Sequence, residues 1–549
     1  SAFSFLLLSS LHTSSQAREK ISISDGWLFA KGESGRIDTA TLAWSPVSLP
    51  HSWNTTDVMD DAPGYYRGVG WYKRRLKIPD FKKGKSLGLY FDGANQLATV
   101  YIDGRRTMVH TGGYTGFYVP LDNVSNEIAD HEILVSVDNS YNEDIAPLTA
   151  DFTFFGGLYR NAWLISTDPV HFSMGSNGAA TVDITTPEVS VAKALVKVNT
   201  EVVNFSGQKR KLKVTVLVRD RDHNLVSKTE NRTEIKTREK KTITVNTGAV
   251  PSPHLWSPDD PYLYSVTTSI TDAATGELLD ELVYPLGFRW YRFDPAEGFF
   301  LNGKALKLVG ASRHQDRPWM GNAVPDVLAR EDVQLLKKMG GNFLRVAHYP
   351  QDQAILEECD RLGIIASVEI PLVNEISETE TFSRNAENML REMIAQNRNH
   401  PSVVIWCLMN EIMLKPHFNN DKTRQAVYFS NIVQLAARLD SIARQTDPAR
   451  YTMIANHGDF DRYNNTGLTK IAMITGWNLY SGWYGGELKD FAGFLEKHHA
   501  KLPGIPLIVS EYGADADPRI RSLAPVKFDK SVEYSLAFHQ YYLNEMLKR

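Results

Sequence analysis

Two glutamates, Glu411 and Glu511, each end an apolar run: Val403–Trp406 leads through Met409 to Asn410-Glu411, and Pro506–Val509 leads to Ser510-Glu511-Tyr512-Gly513. Unbroken apolar runs of this length read as parallel strands buried on both faces. In a (β/α)8 barrel the C-terminal ends of such strands carry the chemistry. A half-buried carboxyl there has its pKa raised enough to donate a proton near neutrality. Two carboxyls facing each other across a barrel mouth are what cleavage of a glycosidic bond with retention requires. One is the acid on the leaving oxygen and the other the nucleophile at C1. A lone Asn-Glu after an apolar run is more often a cap or a surface turn; the recurrence of the design, with barrel-like elements between, argues for chemistry.

Further residues narrow the reading. The stretch Arg398 to Glu411, RNHPSVVIWCLMNE, resembles the acid/base signature of glycoside hydrolase family 2, the β-galactosidase, β-glucuronidase and β-mannosidase group. Asn342 to Pro350, NFLRVAHYP, followed by Asp360 and Gly363, resembles that family's other signature. Cys407 stands where Gly or Ser is usual and Val346 replaces a smaller residue, but neither is a reacting group. The resemblance runs from about residue 20 to the end and implies roles position by position. Glu411 is the acid/base and Glu511 the nucleophile. Asn410 is the partner of the sugar 2-hydroxyl, Tyr480 bonds the nucleophile, and Arg345 keeps it ionised. His314 and His348 resemble sugar-binding histidines, with a simple hydrogen-bonded histidine as the alternative for each. Asp151, in DFTFFGG just before an expected strand, matches a carboxylate that reaches from the N-terminal domain to the non-reducing sugar; its alternative is a turn aspartate.

The resemblance implies an exo-acting retaining β-glycosidase. The stretch from Ser510 to Arg519 favours β-galactosidase, with β-glucuronidase or β-mannosidase as the alternative. The Asn-x-Lys motif by which glucuronidases read a carboxylate is expected past an eighth barrel strand, beyond the end of this chain. A carbohydrate-binding protein without catalysis is the reading from another class. Some family members place a metal near the acid/base with a His after the third strand; Val368–Glu375 offers carboxylates without that His, so no essential metal and no cofactor are expected.

The chain has 549 residues, too many for one core. Lys+Arg 60 against Asp+Glu 64 gives a net charge of −4, which argues against a nucleic-acid partner. The basic run Lys209–Lys213 reads as a charged strand edge. Apolar Ala2–Leu8, followed by Ser and Thr up to Ala17, reads as a signal-like segment over 1–17, hence a periplasmic or secreted protein. No other run could span a bilayer. Cys359 and Cys407 fall in a helix and a buried strand, so neither a disulfide nor a metal is indicated. The oligomeric state is left open, self-association included.

To position the glutamates, three units are expected. Residues 18–168 show short alternating strands with Asp-Gly turns and resemble the family's jelly-roll domain. Residues 169–286 have the length and alternation of an immunoglobulin-like sandwich. Residues 287–549 change to a strand–helix rhythm, a TIM barrel with strands expected at 305–311, 343–348, 363–370, 403–409, 451–456, 471–478 and 506–510. Seven strands leave the barrel without its eighth, so the sequence reads as a truncated barrel.

Overall fold

The structure, a computed structural model, describes residues 17–33, 41–78, 84–121 and 130–548. The signal-like segment, apart from Ala17, lies outside the described residues.

The N-terminal strands form two antiparallel sheets. One is ordered Glu19–Ser22, Ala162–Thr167, Ser86–Phe91, Phe117–Pro120; the other runs from Ser45–Val47 through Trp27–Gly32, Val69–Lys77, Asp130–Asp138 and Leu97–Ile102 to Arg105–Thr111. Alternation along each strand sends Trp27, Tyr72, Leu89, Phe91, Val100, Val135 and Leu164 into one core between the sheets. A second antiparallel sandwich follows, built from strands between Val170 and Leu286, with Val198, Val214, Val216 and Val266 fully buried inside it.

Seven parallel strands then pair in chain order: Gly310–Arg313, Phe343–Val346, Ile365–Glu369, Val403–Asn410, Tyr451–His457, Ile474–Asn478 and Leu507–Glu511. All eight residues of the fourth are buried, as its unbroken apolar run demands. First and last strands approach at a seam, where Ser312 Oγ donates to Ser510 O at 3.4 Å. The first strand is displaced from the expected 305–311. Residues 304–305 belong instead to a three-stranded antiparallel sheet with Tyr291–Asp294 and Gly298–Leu301. Asn302 and Gly303 both have positive φ, 53° and 79°, and close a two-residue hairpin there. Phe299 and Leu301 pack with Phe343, Ile365 and Val404, under the barrel's N-terminal end.

Helices alternate with the strands, and their ends are set locally. Asp352 accepts from Ala354 N at 2.9 Å to cap Gln353–Leu362, and Gly363 at φ 71° ends it. Helix Asp326–Lys338 stops before Gly340, but its buried face is Ala329, Val333 and Leu336; Leu335 and Met339 are exposed. The segment after Asp151 is no strand. Its backbone groups are met by side chains: Tyr65 Oη binds Phe154 N at 2.9 Å, Asn139 Nδ2 donates to Phe154 O at 2.7 Å, and Asn54 Oδ1 accepts from Gly156 N at 2.9 Å. With those bonds made, the segment has no need of a ladder. No helix among the described residues is long and apolar enough to cross a membrane.

Candidate active site

The fourth, sixth and seventh strands end in Asn410, Asn478 and Glu511, and the side chains at these ends bond to one another. Asn478 Nδ2 donates to Asn410 Oδ1 at 3.0 Å and to Glu411 Oε1 at 2.9 Å, while its own Oδ1 accepts from Ser510 Oγ at 2.7 Å. Glu411 has left the strand: its φ is +48°, and its N–H donates to Ala455 O at 2.7 Å. A left-handed glutamate costs about 1–2 kcal/mol, a strain that marks functional positions.

Arg345, one residue before the end of the second strand, is 2% exposed and binds two carboxylates at once. Nη1 donates to Glu511 Oε1; Nε and Nη2 donate to Glu369 at 2.9 and 3.0 Å. Nη2 also reaches Asn410 Oδ1 at 2.9 Å. His348 Nδ1 lies 2.7 Å from Glu369 and Nε2 lies 3.6 Å from Glu511 Oε1. Tyr480 Oη donates to the other Glu511 oxygen at 2.8 Å.

These contacts set the two glutamates apart. Burial works against Glu511's charge, yet Arg345, His348 and the Tyr480 hydroxyl outweigh it and hold the carboxyl below its ordinary range. Burial and the Glu511 charge push Glu411 from 4.5 up to about 7, with Asn478, His348 and Arg345 opposing. At neutral pH one is a bare carboxylate and the other retains its proton on a large fraction of molecules. That is the division of labour of a nucleophile and a general acid.

Asn410, with its Oδ1 occupied twice, keeps its amide Nδ2 as the donor for a hydroxyl. His314 Nδ1 lies 3.1 Å from Tyr349 Oη, and burial with His348 nearby lowers its pKa to about 4, so it is neutral near pH 7. Its ring is 5.1 Å from that of His348. Asp151 is exposed at the edge of this group. Its neighbour Phe152 packs on His314, His348 and Tyr349, with ring centroids 5.1, 5.9 and 5.3 Å away, and the Asp151 charge acts on both His314 and Tyr484.

Six of the eight expected residues therefore share one hydrogen-bonded and charged network, His314 touches it through its ring, and Asp151 stands at its rim. Glu369 and Asn478 complete the network without having been singled out. Glu369 appeared only as a carboxylate lacking a metal-binding His; it is spent instead on Arg345 and His348. The signal for Asn478 was available: it is a polar residue ending a buried apolar strand, as Asn410 is.

Comparison with known proteins agrees with this geometry. Residues 295–549 match the model "Glycosyl hydrolases family 2, TIM barrel domain", and residues 180–289 match "Glycosyl hydrolases family 2". A β-glucuronidase of Bacteroides fragilis is 34% identical over 537 residues, 94% of this chain and 71% of that protein. A β-galactosidase of Thermoanaerobacter pseudethanolicus is 30% identical over 79% of this chain and 56% of its own. A Bacteroides uniformis β-glucuronidase 2 structure, covalently bound to cyclophellitol-6-carboxylate aziridine, superposes with a TM-score of 0.93 at 40% identity, over 97% of this chain and 63% of that one. A calcium-binding mutant of the same enzyme superposes at 0.91, with 39% identity, over 96% of this chain and 64% of that one. The chain spans 57% of a further relative, from Formosa agariphila. With the paired glutamates on a parallel barrel and matches of this extent, the chain belongs to glycoside hydrolase family 2.

Proposed function

We propose that the protein is an exo-acting retaining β-glycosidase whose preferred glycone is a β-glucuronide. The observation that carries the reaction type is the opposed ionisation of Glu411 and Glu511 within one network. Glu511 attacks C1 while Glu411 protonates the departing oxygen, giving a glycosyl ester on Glu511. Esterification removes the Glu511 charge. The pKa of Glu411 then falls, and Glu411 takes the proton of the water that hydrolyses the ester. Tyr480 and Arg345 hold the Glu511 carboxylate in place for attack. Asn410 meets the 2-hydroxyl, and the Asp151–Phe152 segment from the N-terminal domain walls the pocket around one terminal sugar.

The choice of glycone departs from the β-galactoside favoured by residues 510–519. Those residues surround the nucleophile, which meets C1, and C1 is alike in galactose and glucuronic acid; the sugars differ at C4 and C6. The relatives supporting a glucuronide are the more similar ones, 40% and 34% identical against 30% for the galactosidase. Turnover of nitrophenyl β-glucuronide, β-galactoside and β-mannoside decides. The glucuronide is expected to give the highest kcat/KM, and a higher value for the galactoside would overturn the reading.

A structural calcium ion is a second element of this proposal. The calcium-binding mutant among the relatives carries two Asp→Ala substitutions, and Asp326 and Asp352 of this chain stand apart by the same interval. Burial and the charge of Asp352 raise the pKa of Asp326 against the opposing charge of Arg330, so the two carboxyls are near enough to interact. Carboxylate oxygens are the donors that calcium prefers. Asp326 and Asp352 would hold the ion where the first two barrel helices begin, and it would bind those helix starts together. This departs from the expectation of no essential metal, which rested on the loop after the third strand alone. Calcium should raise the melting temperature of the wild type and not of Asp326→Ala/Asp352→Ala; an equal response in both would remove the ion from the proposal.

A further inference from the structure

The N-terminal domain sends residues 144–152 to the active site, and the barrel grips that segment at several points. Ala146 and Leu148 are buried in the barrel core. Thr379 Oγ1 donates to Asp144 Oδ1 at 2.5 Å. Nearest to Asp151, the Thr149 hydroxyl donates to Glu375 Oε1 at 2.5 Å, and Asn374 Nδ2 reaches Thr149 O at 3.5 Å.

Glu375 is itself held. Its other oxygen lies 2.5 Å from His417 Nε2, and the His417 ring stacks on buried Tyr428 at 4.6 Å with 4° between planes. Tyr428 Oη in turn donates to Ile376 O at 3.2 Å and accepts from Ile376 N at 3.0 Å, one residue beyond Glu375. On the other side, Asn374 N donates to Asn410 O at 3.1 Å. The carboxylate that grips Thr149 is therefore fixed to the strand end that presents Asn410 and Glu411.

We propose that Glu375, braced by His417, is a positioning residue: through Thr149 it holds the segment bearing Asp151 and Phe152 against the barrel mouth and so sets the wall of the sugar pocket. The inference rests on the reading of Asp151 as part of that wall. Cohesion of the two domains does not need this contact. Glu392 accepts from Thr115 at 2.5 Å and faces His110, and Gln396 bonds both N and O of Gly116, elsewhere along the same interface. Thr149 lies two residues from Asp151, so losing its anchor frees mainly the stretch that meets the sugar.

Steady-state kinetics on four variants test it. Thr149→Val keeps the shape and removes the donor. It should lower kcat/KM about three- to tenfold, chiefly through KM, with only a small fall in melting temperature, because one hydrogen bond is lost. Thr149→Ser restores the donor and should restore efficiency. In the Asp151→Ala background, Thr149→Val should cost clearly less than it does in the wild type, since most of its effect passes through Asp151. Normal efficiency in Thr149→Val beside an impaired Asp151→Ala overturns the positioning role and leaves the wall standing. Losses that multiply in the double variant overturn it too, because Thr149 then acts independently. Normal efficiency in Asp151→Ala overturns the wall itself.

Discussion

Replacing Glu511 by Gln should lower the pKa of Glu411 by at least about one unit, and the size follows from the site. Glu411 moves from 4.5 to about 7, with burial as the larger cause and the Glu511 charge as the second. Two charges about 5 Å apart, the separation that double displacement uses, repel by about 3 kcal/mol at an effective dielectric of about 20, or about two pKa units. Burial is the larger cause and Asn478, His348 and Arg345 pull downward, so this repulsion sets the scale of the fall and not its full size. In Glu511→Gln, Arg345 also loses one of its two carboxylate partners, which adds to the fall. The assay is carbon-13 NMR of labelled glutamate side chains, with the Glu411 signal assigned by its loss in Glu411→Gln. In the wild type the same ionisation should appear as the alkaline limb of kcat/KM near pH 7, since Glu411 must carry a proton in the first step. A shift in Glu511→Gln smaller than about 0.3 unit would refute the electrostatic coupling. Stability carries the same signature. Between pH 4.5 and about 7 the folded state binds a proton that the unfolded state releases, so stability is lost as pH rises through that window, by up to about 3 kcal/mol. Glu411→Gln should remove most of that loss.

Glu411→Ala should still accept an activated aryl glycoside in the first step and be rescued by azide, which enters the space left on the β face; a β-glycosyl azide is the expected product, and an α adduct would reverse the assigned roles. Arg345→Ala leaves Glu369 and Glu511 as buried carboxylates without their shared cation, so it should cost about 3–5 kcal/mol in urea unfolding and abolish turnover, whereas intact stability would deny the pair its burial penalty. Asp151→Ala should lower kcat/KM at least about tenfold with little change in melting temperature, because the side chain is exposed and, on the proposed reading, its partner is the sugar and not the core.

What could be read from the sequence was whatever a short local pattern determines. The apolar run 403–409 dictates a buried strand, its end dictates where Glu411 emerges, and the same holds for Glu511; the barrel, its strand order and both glutamates follow. The hairpin at Asn302-Gly303 is equally local, but the expected strand starts at 305, in the arm that follows it, about five residues before the observed first strand. The remaining misses are non-local. Leu335 lies among the apolar residues Leu328, Leu336 and Met339 that helical spacing would group on one face, yet it is exposed, because the buried face is chosen by the strands the helix meets. Residues 152–156 alternate like a strand, but Tyr65, Asn54 and Asn139 satisfy their backbone from distant parts of the chain. Glu369 is the clearest case. Its position at the end of a strand gave it a reason to act, but whether it would bind a metal or an arginine depended on Arg345 and His348, one strand away. A carboxylate's role is set by the charge placed opposite it, and that charge is a property of the folded barrel.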